Sequence, residues 1–422
     1  MQRTFHDPQD QALYELMRDK AAPALVAYVH RVLTQARQRG VKTLYFLARD
    51  GYLLLDIARR LCKEDSLDID CRYLYCSRRS LRLPSYHLLG EEAYDLLFSA
   101  SKHIGFAEVF QRAHLDDVQS KAVLDELGIS DKEAAILWNA PDIAAWRQRL
   151  HASALFNRYL QENSRIAYEH TIAYFRQEGL FDQPCVTLVD SGWAGSSQRS
   201  IRQMMTAAGF TGSFAGFYCG LILQPKEDAD GDYLPWLFSA KANYWRKVLF
   251  NLNMFECLLS APHGMTMTYA EENGRMQPVL GTSPDDAEAA LIAVKNAGVQ
   301  DGLDLCCQCD WRTPAFAIRA VRRLQNLLAH PRAQDVHTLN RFVFSDDIGA
   351  ENKAAMVCDE AAATCWDCFV PVRLWRKIAN SPKADRFHPY WGYGTSALIT
   401  NPLKRAWFWL NAFLWEMLKY MG

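Results

Sequence analysis

The chain has 422 residues, of which half are apolar and 23% are charged, and its formal net charge is -1. This composition excludes a disordered polymer, a collagen-like fibre and a broadly basic nucleic-acid binder. The length suggests two or three folding units. No apolar run approaches the roughly 18 residues of a membrane span, and the first residues lack the apolar stretch of a secretory signal. We therefore expect a cytoplasmic protein whose cysteines stay reduced.

The first part of the chain alternates helices with short apolar strands. Apolar residues at three- and four-residue steps predict a helix over residues 9–39, and a β-prone run at 43–47 precedes a second helix over 52–61. Another strand is predicted at 72–76. Residues from about 85 to 180 read as largely helical, and no turn-rich linker separates them from the next predicted strand. We therefore interpret them as an insertion.

The alternation resumes after this insertion, with predicted strands at 186–189 and 214–221 and a helix at 198–208 between them. Strands that alternate with helices predict an α/β fold with a parallel sheet, in which the loops after the strands share one edge. We expect a core over residues 1–260. A mainly helical accessory domain over 261–400 and a terminal helix over 401–422 would come after it.

Three of the predicted strands end in polar turns that suit phosphate groups. The most informative turn joins an acid, glycines and hydroxyls to a helix start, where backbone N–H groups favour an anion. Its residues are Asp190, Ser191, Gly192, Trp193, Ala194, Gly195, Ser196 and Ser197. The turns after the first two strands contain Arg49, Asp50 and Gly51, and Ser77, Arg78 and Arg79. Together they indicate a ligand with phosphates at both ends, although each alone also fits a capped turn or solvated charge.

These turns resemble the binding loops of a known enzyme family. Residues 46–52 resemble the pyrophosphate loop of the type I phosphoribosyltransferases, and residues 186–197 are similar to their signature for phosphoribosyl pyrophosphate (PRPP). The chain more closely resembles a transferase module of bacterial O-antigen and capsule gene clusters. That module is often fused to a haloacid-dehalogenase-type phosphatase. The resemblance covers about residues 20–260 and implies a phosphoribosyltransferase-like core.

The resemblance implies that 5-phosphoribose is transferred from PRPP to a sugar hydroxyl of a bacterial surface glycan, with release of pyrophosphate. A separate phosphatase would then remove the 5-phosphate. The resemblance assigns Arg49, Asp50 and Gly51 to pyrophosphate and Mg²⁺, and Asp190 to ribose or metal. The side chains of Arg78 and Arg79, next to Ser77, would also meet pyrophosphate. Residues 191–197 would hold the 5-phosphate.

The sequence departs from the family at the ribose position and leaves the general base unassigned. The family has two adjacent acids where this chain has Asp190 followed by Ser191, and the loop is about one residue shorter. Trp193 stands where smaller residues are common. The base that takes the proton of the acceptor is not evident, and the candidates, unranked, are Asp228, Asp230, Asp232 and Glu256.

Two other functions compete with this hypothesis. A haloacid-dehalogenase-like phosphatase also has an aspartate pair after an apolar strand, but its nucleophilic aspartate is replaced here by Ala48. Because loss of a covalent nucleophile can cost on the order of 10⁶ in rate, we reject that activity. A non-catalytic scaffold of a glycan-assembly complex stays open, and measured PRPP binding would separate it from a transferase.

Six cysteines in two groups resemble the two halves of a zinc site. They are Cys306, Cys307 and Cys309 in the first group, and Cys358, Cys365 and Cys368 in the second. Only Cys365 and Cys368 form a C-x-x-C pair, which is a ligand spacing typical of zinc. Buried free cysteines are common in protein cores, so we favour free thiols over a structural zinc.

The carboxyl-terminal residues 401–422 form a predicted amphipathic helix. Its wide apolar face is rich in tryptophan and comprises Trp407, Trp409, Leu410, Phe413, Leu414 and Leu418. Such a helix suits the surface of a membrane that carries a lipid-linked glycan acceptor, and nearby basic residues would favour anionic lipid. These basic residues are Arg373, Arg376, Lys377, Lys383 and Arg386. The alternative is a helix docked on the protein's own core or on a second subunit.

Overall fold

A five-stranded parallel sheet forms the centre of the protein, as the sequence predicts. The structure is a computed structural model that describes residues 3–99, 104–223, 231–344, 354–358, 368–378 and 389–420. The strands are β1 (Thr43–Leu47), β2 (Asp70–Leu74), β3 (Cys185–Asp190), β4 (Ser213–Gly220) and β5 (Asp232–Phe238). Their order in the sheet is β2-β1-β3-β4-β5. The first four confirm the predicted strands to within about two residues, whereas β5 was not predicted.

Helices surround the sheet and account for most of the remaining described chain. Before the insertion they are α1 (Pro8–Leu16), α2 (Ala22–Gln38), α3 (Gly51–Glu64) and α4 (Arg78–Arg82). Between α4 and β3 lie α5 (Tyr86–Leu89), α6 (Glu91–Leu97), α7 (Phe106–Arg112), α8 (Asp117–Leu127), α9 (Asp131–Ala134), α10 (Ala140–Ala152) and α11 (Ala154–Gln177). The helix α12 (Ser196–Ala207) connects β3 to β4.

The rest of the described chain is mainly helical. Its helices are α13 (Tyr244–Val248), α14 (Leu252–Leu259), α15 (Asp286–Cys307), α16 (Pro314–Ala329), α17 (Ala333–Leu339), α18 (Val370–Ile378), α19 (Gly392–Leu398) and α20 (Pro402–Lys419). An antiparallel hairpin, β6 (Thr266–Glu272) with β7 (Arg275–Leu280), and a short pair, β8 (Val343–Phe344) with β9 (Ala354–Ala355), complete it. Within the described ranges, no helix has the combination of length and apolar content that crossing a bilayer requires.

Side chains that alternate along the strands fill two cores, one on each face of the sheet. Leu44 and Phe46 of β1 pack against α2, α3 and α15, while Tyr45 and Leu47 pack with α11 and α12 on the other face. This is the two-residue period of a strand that is buried on both sides. Both faces of the sheet are therefore covered.

The insertion has an apolar core of its own, whereas the carboxyl-terminal helices share the main core. Residues from Leu83 to Ala167 form a separate cluster that includes Phe106, Phe156 and Trp138. The helices α15 and α16 instead contribute to the cluster that also holds α1, α2 and α3. Residues 286–329 therefore add a layer to the α/β core rather than packing only among themselves.

The connections place the ends of β1 and β3 at the position where the sheet changes direction. From β1 the chain moves to β2 on one side, and after the insertion it returns to β3 on the other side, where Tyr45 is paired with Leu188. In open α/β sheets, ligands bind in the crevice beyond the carboxyl ends of the strands at such a switch point. The turns that begin at Ala48 and Ser191 both open there.

Candidate functional site

Ser191 joins the turns after β1 and β3. Its hydroxyl donates a hydrogen bond to Oδ2 of Asp50, and its backbone N–H donates to Oδ1 of Asp190 at 2.8 Å. The residue is only 1% exposed, so these bonds are shielded from water. The two carboxylates that the family resemblance assigns to ribose and metal are thus hydrogen-bonded to one buried serine.

The loop after β3 has the close backbone packing that its glycines permit. Gly192 has φ +147°, and a Cβ atom there would lie 2.3 Å from the carbonyl oxygen of Gly220. Gly195 has φ +67°, and a Cβ atom there would lie 2.3 Å from the ring of Tyr233. Neither position has room for a side chain. The loop leads into α12, which has no side-chain cap at its first turn, where Ser196 is exposed and Ser197 is half-buried.

Glu256 of α14 lies at the other side of this loop. The indole Nε1 of Trp193 donates a hydrogen bond to its Oε1 at 2.7 Å. The Trp193 ring packs among Phe238, Phe250 and Phe255 with centroid distances from 5.8 to 6.1 Å. The large side chain at this loop position therefore anchors Glu256 beside the two aspartates.

A fourth buried ionisable group, Lys295 of α15, lies near Asp50. Its Nζ donates hydrogen bonds to the carbonyl oxygen of Ser260 and, at 3.0 Å, to the Ser260 hydroxyl. The side chain is 0% exposed. Burial lowers the pKa of Lys295 to about 7, although the negative charge of Asp50 acts in the opposite direction.

Burial raises the pKa of every carboxyl group in this cluster, and the charge of Asp50 adds to the rise at Asp190 and Glu256. Asp50 has a raised pKa mainly because it is removed from water, while the Ser191 hydroxyl and Arg49 oppose the shift. Burial, followed by the charge of Asp50, raises the pKa of Asp190 well above its usual range. The same two causes raise the pKa of Glu256 to about 7. Such strongly shifted groups gathered at a crevice are typical of functional sites.

A cavity of about 510 Å³ opens beside these carboxyl groups. Its wall includes Arg49, Asp50 and Arg78 from the first two turns, and Glu256 from α14. The far wall is built by α15 and the segment around Arg341. The volume is in the range of small-molecule sites. Residues 191–197 do not line this cavity; they are connected to it through the Ser191 and Trp193 hydrogen bonds.

In the turn after β2, Arg78 lines the cavity, whereas Ser77 and Arg79 form hydrogen bonds within the protein. Arg78 is exposed and lines the cavity, together with Arg49. Arg79 is 9% exposed and donates a hydrogen bond to the carbonyl oxygen of Gln111 in the insertion at 3.3 Å. The Ser77 hydroxyl caps α4 and donates to the carbonyl oxygen of Thr266 at 2.6 Å. Of these three predicted ligands, Arg78 is the one that faces the cavity.

The structure places the two described candidates for the general base, Asp232 and Glu256, in different locations. Asp232 is the first residue of β5 and forms an exposed ion pair with Arg39 at 2.7 Å, at the amino end of the strand and away from the cavity. Glu256 lines the cavity. Asp228 and Asp230 lie outside the described residues. Glu256 is therefore the described candidate with access to a bound ligand.

Oxygen donors in the cluster fit the way in which proteins hold Mg²⁺. Within the described residues, no three His, Cys, Asp or Glu side chains converge on one possible metal position. Mg²⁺ is nevertheless commonly bound through one or two carboxylates together with substrate phosphates. Asp50 and Asp190, two half-buried carboxylates that share hydrogen bonds with Ser191, suit that mode.

The clustered cysteines are divided between different parts of the structure. Cys306 is buried in the main core, while Cys358 and Cys368 pack with Ile399 and Phe408 near the terminal helix. Cys365 lies outside the described residues. Cys306 thus belongs to one apolar cluster and Cys358 and Cys368 to another, while Cys309 is exposed.

Sequence reasoning missed Lys295. One signal was available, because Lys295 is the single charged residue in the largely apolar run from Ala289 to Gln300. A lysine within the buried stripe of a helix needs a polar partner, but the sequence does not show where that partner lies. The contact with Ser260 comes from the packing of α15 on the end of α14.

Comparison with known proteins gives no family for this chain. A scan against models of protein families finds no match, and a search among curated proteins finds no significant relative.

Proposed function

We propose that this protein is a PRPP-dependent phosphoribosyltransferase that adds 5-phosphoribose to a sugar hydroxyl of a bacterial surface glycan. The observation that carries the proposal is the meeting of Arg49, Asp50 and Asp190 at the switch point of a parallel sheet. Such an arrangement offers cations for a pyrophosphate and carboxylates for a ribose or a metal on adjacent turns. The sequence resemblance to the type I phosphoribosyltransferases supports the same reaction.

The pyrophosphate end of PRPP would occupy the cavity. Arg49 and Arg78 both line it, and guanidinium groups pair well with phosphate oxygens. Charge accumulates on pyrophosphate as the C1–O bond breaks, so cations fixed at that position stabilise the transition state more than the bound substrate. Arg79 and Ser77 would act by holding the turn and the insertion in place.

The ribose would lie over Asp190 and Asp50. Asp190 would accept hydrogen bonds from the ribose hydroxyls, and Ser191 would keep the two carboxylates in register. Asp50 and Asp190 would also hold Mg²⁺, which supplies positive charge to the pyrophosphate oxygens when it is bound. Burial raises the pKa of both aspartates, and a bound Mg²⁺ would lower it again, so that they would be ionised in the complex.

The 5-phosphate would lie at the start of α12. Free backbone N–H groups at a helix start, together with the hydroxyls of Ser196 and Ser197, form an anion site. Gly192 and Gly195 allow this loop to pack against Gly220 and Tyr233, which leaves the backbone next to the ligand. The donor would therefore span from the β1 turn to the α12 helix start.

Glu256 would be the general base. As the acceptor oxygen forms its bond to C1 of the ribose, its proton passes to the Glu256 carboxylate, while the C1–O bond to pyrophosphate breaks and both bonding electrons leave with pyrophosphate. A base with a pKa near the working pH combines a useful ionised fraction with sufficient basicity. Burial and the charge of Asp50 bring the pKa of Glu256 to about 7, which meets this requirement.

The test is a transfer assay with PRPP, Mg²⁺ and a panel of synthetic glycosides. We expect pyrophosphate release that depends on one of these acceptors, and mass spectrometry should find that acceptor heavier by one phosphoribosyl group. Release of inorganic phosphate without an acceptor would favour the phosphatase, against which Ala48 argues. A protein that neither binds PRPP nor releases pyrophosphate would support the scaffold alternative.

A further inference from the structure

The two walls of the cavity beside Asp50 differ in their chemistry. The near wall holds the guanidinium groups of Arg49 and Arg78, which suit a pyrophosphate. The far wall is formed by the first turns of α15 and by residues 341–344. A volume of about 510 Å³ is typical of sites for ligands larger than a pyrophosphate. The far wall is therefore available to a second ligand.

The far wall meets the helix that carries Glu256. The Sγ of Cys257 donates a weak hydrogen bond to the carbonyl oxygen of Val343 at 3.9 Å, which joins β8 to α14 one residue after Glu256. Both Cys257 and Val343 line the cavity. A general base must lie within hydrogen-bond reach of the hydroxyl group that it deprotonates. A sugar with one hydroxyl group at Glu256 is therefore adjacent to the far wall.

Carboxylates occupy the helix start on the far wall. Asp285 caps α15, because its Oδ1 accepts a hydrogen bond from the backbone N–H of Glu288 at 2.8 Å. Both side chains line the cavity, and Asp286 adds a third negative charge in the first turn. A helix start attracts anions, but here the acidic side chains reverse the local charge. This wall therefore disfavours a phosphate and favours hydroxyl groups, which donate hydrogen bonds to carboxylates.

Arg341 supplies a hydrogen-bond donor on the same wall. Its Nη2 donates to Oδ1 of Asp10 at 2.7 Å, so its positive charge is paired. Its Nη1 is buried and has no hydrogen-bond partner within the described residues. Buried polar atoms in proteins are nearly always hydrogen-bonded. An unpaired guanidinium nitrogen in a residue that lines a cavity therefore indicates a donor for an oxygen atom of a ligand.

Apolar side chains complete the far wall. Leu291 of α15 and Phe342 are buried, whereas Phe344 is half-buried and Val343 is 43% exposed. The Phe344 ring packs on the ring of Tyr390, and their centroids are 5.0 Å apart. Apolar and aromatic surface with a few placed polar groups is the usual lining of a small-molecule site. Here it suits the C–H groups of a sugar ring.

We propose that the far wall binds an uncharged sugar of the glycan acceptor and places one of its hydroxyl groups at Glu256. This inference rests on the proposed transferase function and adds the chemical class of its second substrate. The carboxylates accept hydrogen bonds from sugar hydroxyl groups, Arg341 donates to a sugar oxygen, and the apolar side chains pack on the C–H groups. An acidic sugar would bring its own carboxylate towards Asp285 and Glu288, so the same wall discriminates against it.

The test measures transfer by the full chain, at saturating PRPP, to methyl glycosides of neutral hexoses and of the corresponding uronic acids. We expect kcat/KM to be at least about tenfold higher for a neutral acceptor than for its uronic acid. The double variant Asp285→Asn with Glu288→Gln keeps a capping side chain but removes both charges. It should bring this ratio close to one and raise the KM of the neutral acceptor about tenfold, with the KM of PRPP unchanged.

Two further variants separate a ligand contact from a structural role. Arg341→Lys can keep the ion pair with Asp10 but lacks the unpaired nitrogen, so the KM of the neutral acceptor should rise while kcat and the KM of PRPP stay near the parent values. The matched control Asp286→Asn removes a charge from the same turn of α15 at a residue that does not line the cavity. It should behave like the parent chain.

The outcomes distinguish this proposal from the transferase proposal. Unchanged acceptor KM values in the double variant and in Arg341→Lys, with transfer intact, would overturn the far-wall assignment and leave the transferase in place. Transfer to uronic acids alone, or no transfer to any neutral glycoside by a chain that binds PRPP, would also overturn it. A folded chain that binds no PRPP would contradict the transferase proposal itself, and the acceptor assignment would fall with it.

Discussion

The pH dependence of transfer offers a sharp test of Glu256. A pKa of about 7 means that the Glu256 carboxyl group is about 9% ionised at pH 6 and about 91% ionised at pH 8. If the ionised form takes the acceptor proton, kcat/KM should rise roughly tenfold over this interval, because kcat/KM reports the ionisation of the free enzyme. A glutamate with its ordinary pKa near 4.5 would give a flat profile over the same range.

The substitution Glu256→Gln keeps the shape of the side chain and can retain the hydrogen bond from Trp193, but it removes the base. We expect kcat/KM to fall by about 10²- to 10⁴-fold, with loss of the rise between pH 6 and pH 8. The matched control is Asp232→Asn, which removes a carboxylate from an exposed ion pair at the amino end of β5, away from the cavity. This variant should keep the parent activity and the parent pH profile.

The assay follows pyrophosphate release with saturating PRPP and varied acceptor, in one buffer series of constant ionic strength. Far-UV circular dichroism of both variants checks that the fold is retained. If Glu256→Gln kept the rise with pH, or if Asp232→Asn lost it, the assignment of the base to Glu256 would be wrong. That result would leave the assignment of Arg49, Asp50 and Asp190 to the donor site unaffected.

Other residues give further tests. Asp190→Asn should reduce transfer by more than about 10²-fold in the same assay while the protein stays folded, because a neutral amide cannot replace the charge that holds the ribose. Arg49→Ala should weaken pyrophosphate binding more than ribose 5-phosphate binding, and the double change Ser196→Ala with Ser197→Ala should show the reverse. Equal losses of both ligands, measured by calorimetry, would contradict a donor gripped at two ends. Burial lowers the pKa of Lys295 from its ordinary value of 10.5 to about 7 in the folded chain. Between these two pH values the unfolded chain holds a proton on Lys295 that the folded chain does not, so unfolding takes up a proton. Stability should therefore rise with pH across this window, and denaturant titrations of Lys295→Met should lack that contribution.

The sheet could be predicted because its strands are apolar runs that end at polar turns. The run at 43–47 is buried along its whole length, and the helix after it starts directly at a glycine. The strand β5 was not predicted because Pro235 interrupts its run of strand-forming residues. The structure shows why a proline is tolerated in this strand. As the last strand in the order, β5 needs a hydrogen-bonded neighbour on one side only.

The candidate site could be predicted only in part, because its residues come from separate segments. Arg49, Asp50 and Asp190 lie at or just beyond strand ends, and parallel strands place such residues at one edge. Glu256 could not be ranked above Asp232, because that distinction depends on which end of the sheet each residue occupies. Lys295 reaches the site only through the packing of α15 against the main core. Helix packing of this kind joins residues that are distant in the sequence and leaves little local signal.

The sequence predicts an amphipathic terminal helix, and the structure docks one face of this helix on the core. Of the basic residues expected near it, Lys383, Arg386 and the side chains of Arg376 and Lys377 lie outside the described part of the chain. Trp409 and Trp407 belong to the same predicted apolar face, yet Trp409 donates a hydrogen bond to the carbonyl oxygen of Ala329, whereas Trp407 is 38% exposed. Removal of residues 401–422 should therefore destabilise the protein, since Phe408 and Trp409 would leave the core. Thermal melting of a chain that ends at Thr400 measures this effect. An unchanged melting temperature would contradict the docking of α20.

The most direct test of the transferase proposal is a calorimetric titration of the full chain with PRPP in the presence of Mg²⁺. We expect saturable binding of PRPP, weaker binding of ribose 5-phosphate, which lacks the pyrophosphate, and strong loss of PRPP binding in Arg49→Ala. The control Asp232→Asn should bind PRPP like the parent chain. Absence of PRPP binding by a folded parent chain, or PRPP binding that is unchanged in Arg49→Ala, would contradict the proposal that the turns after β1 and β3 hold this donor.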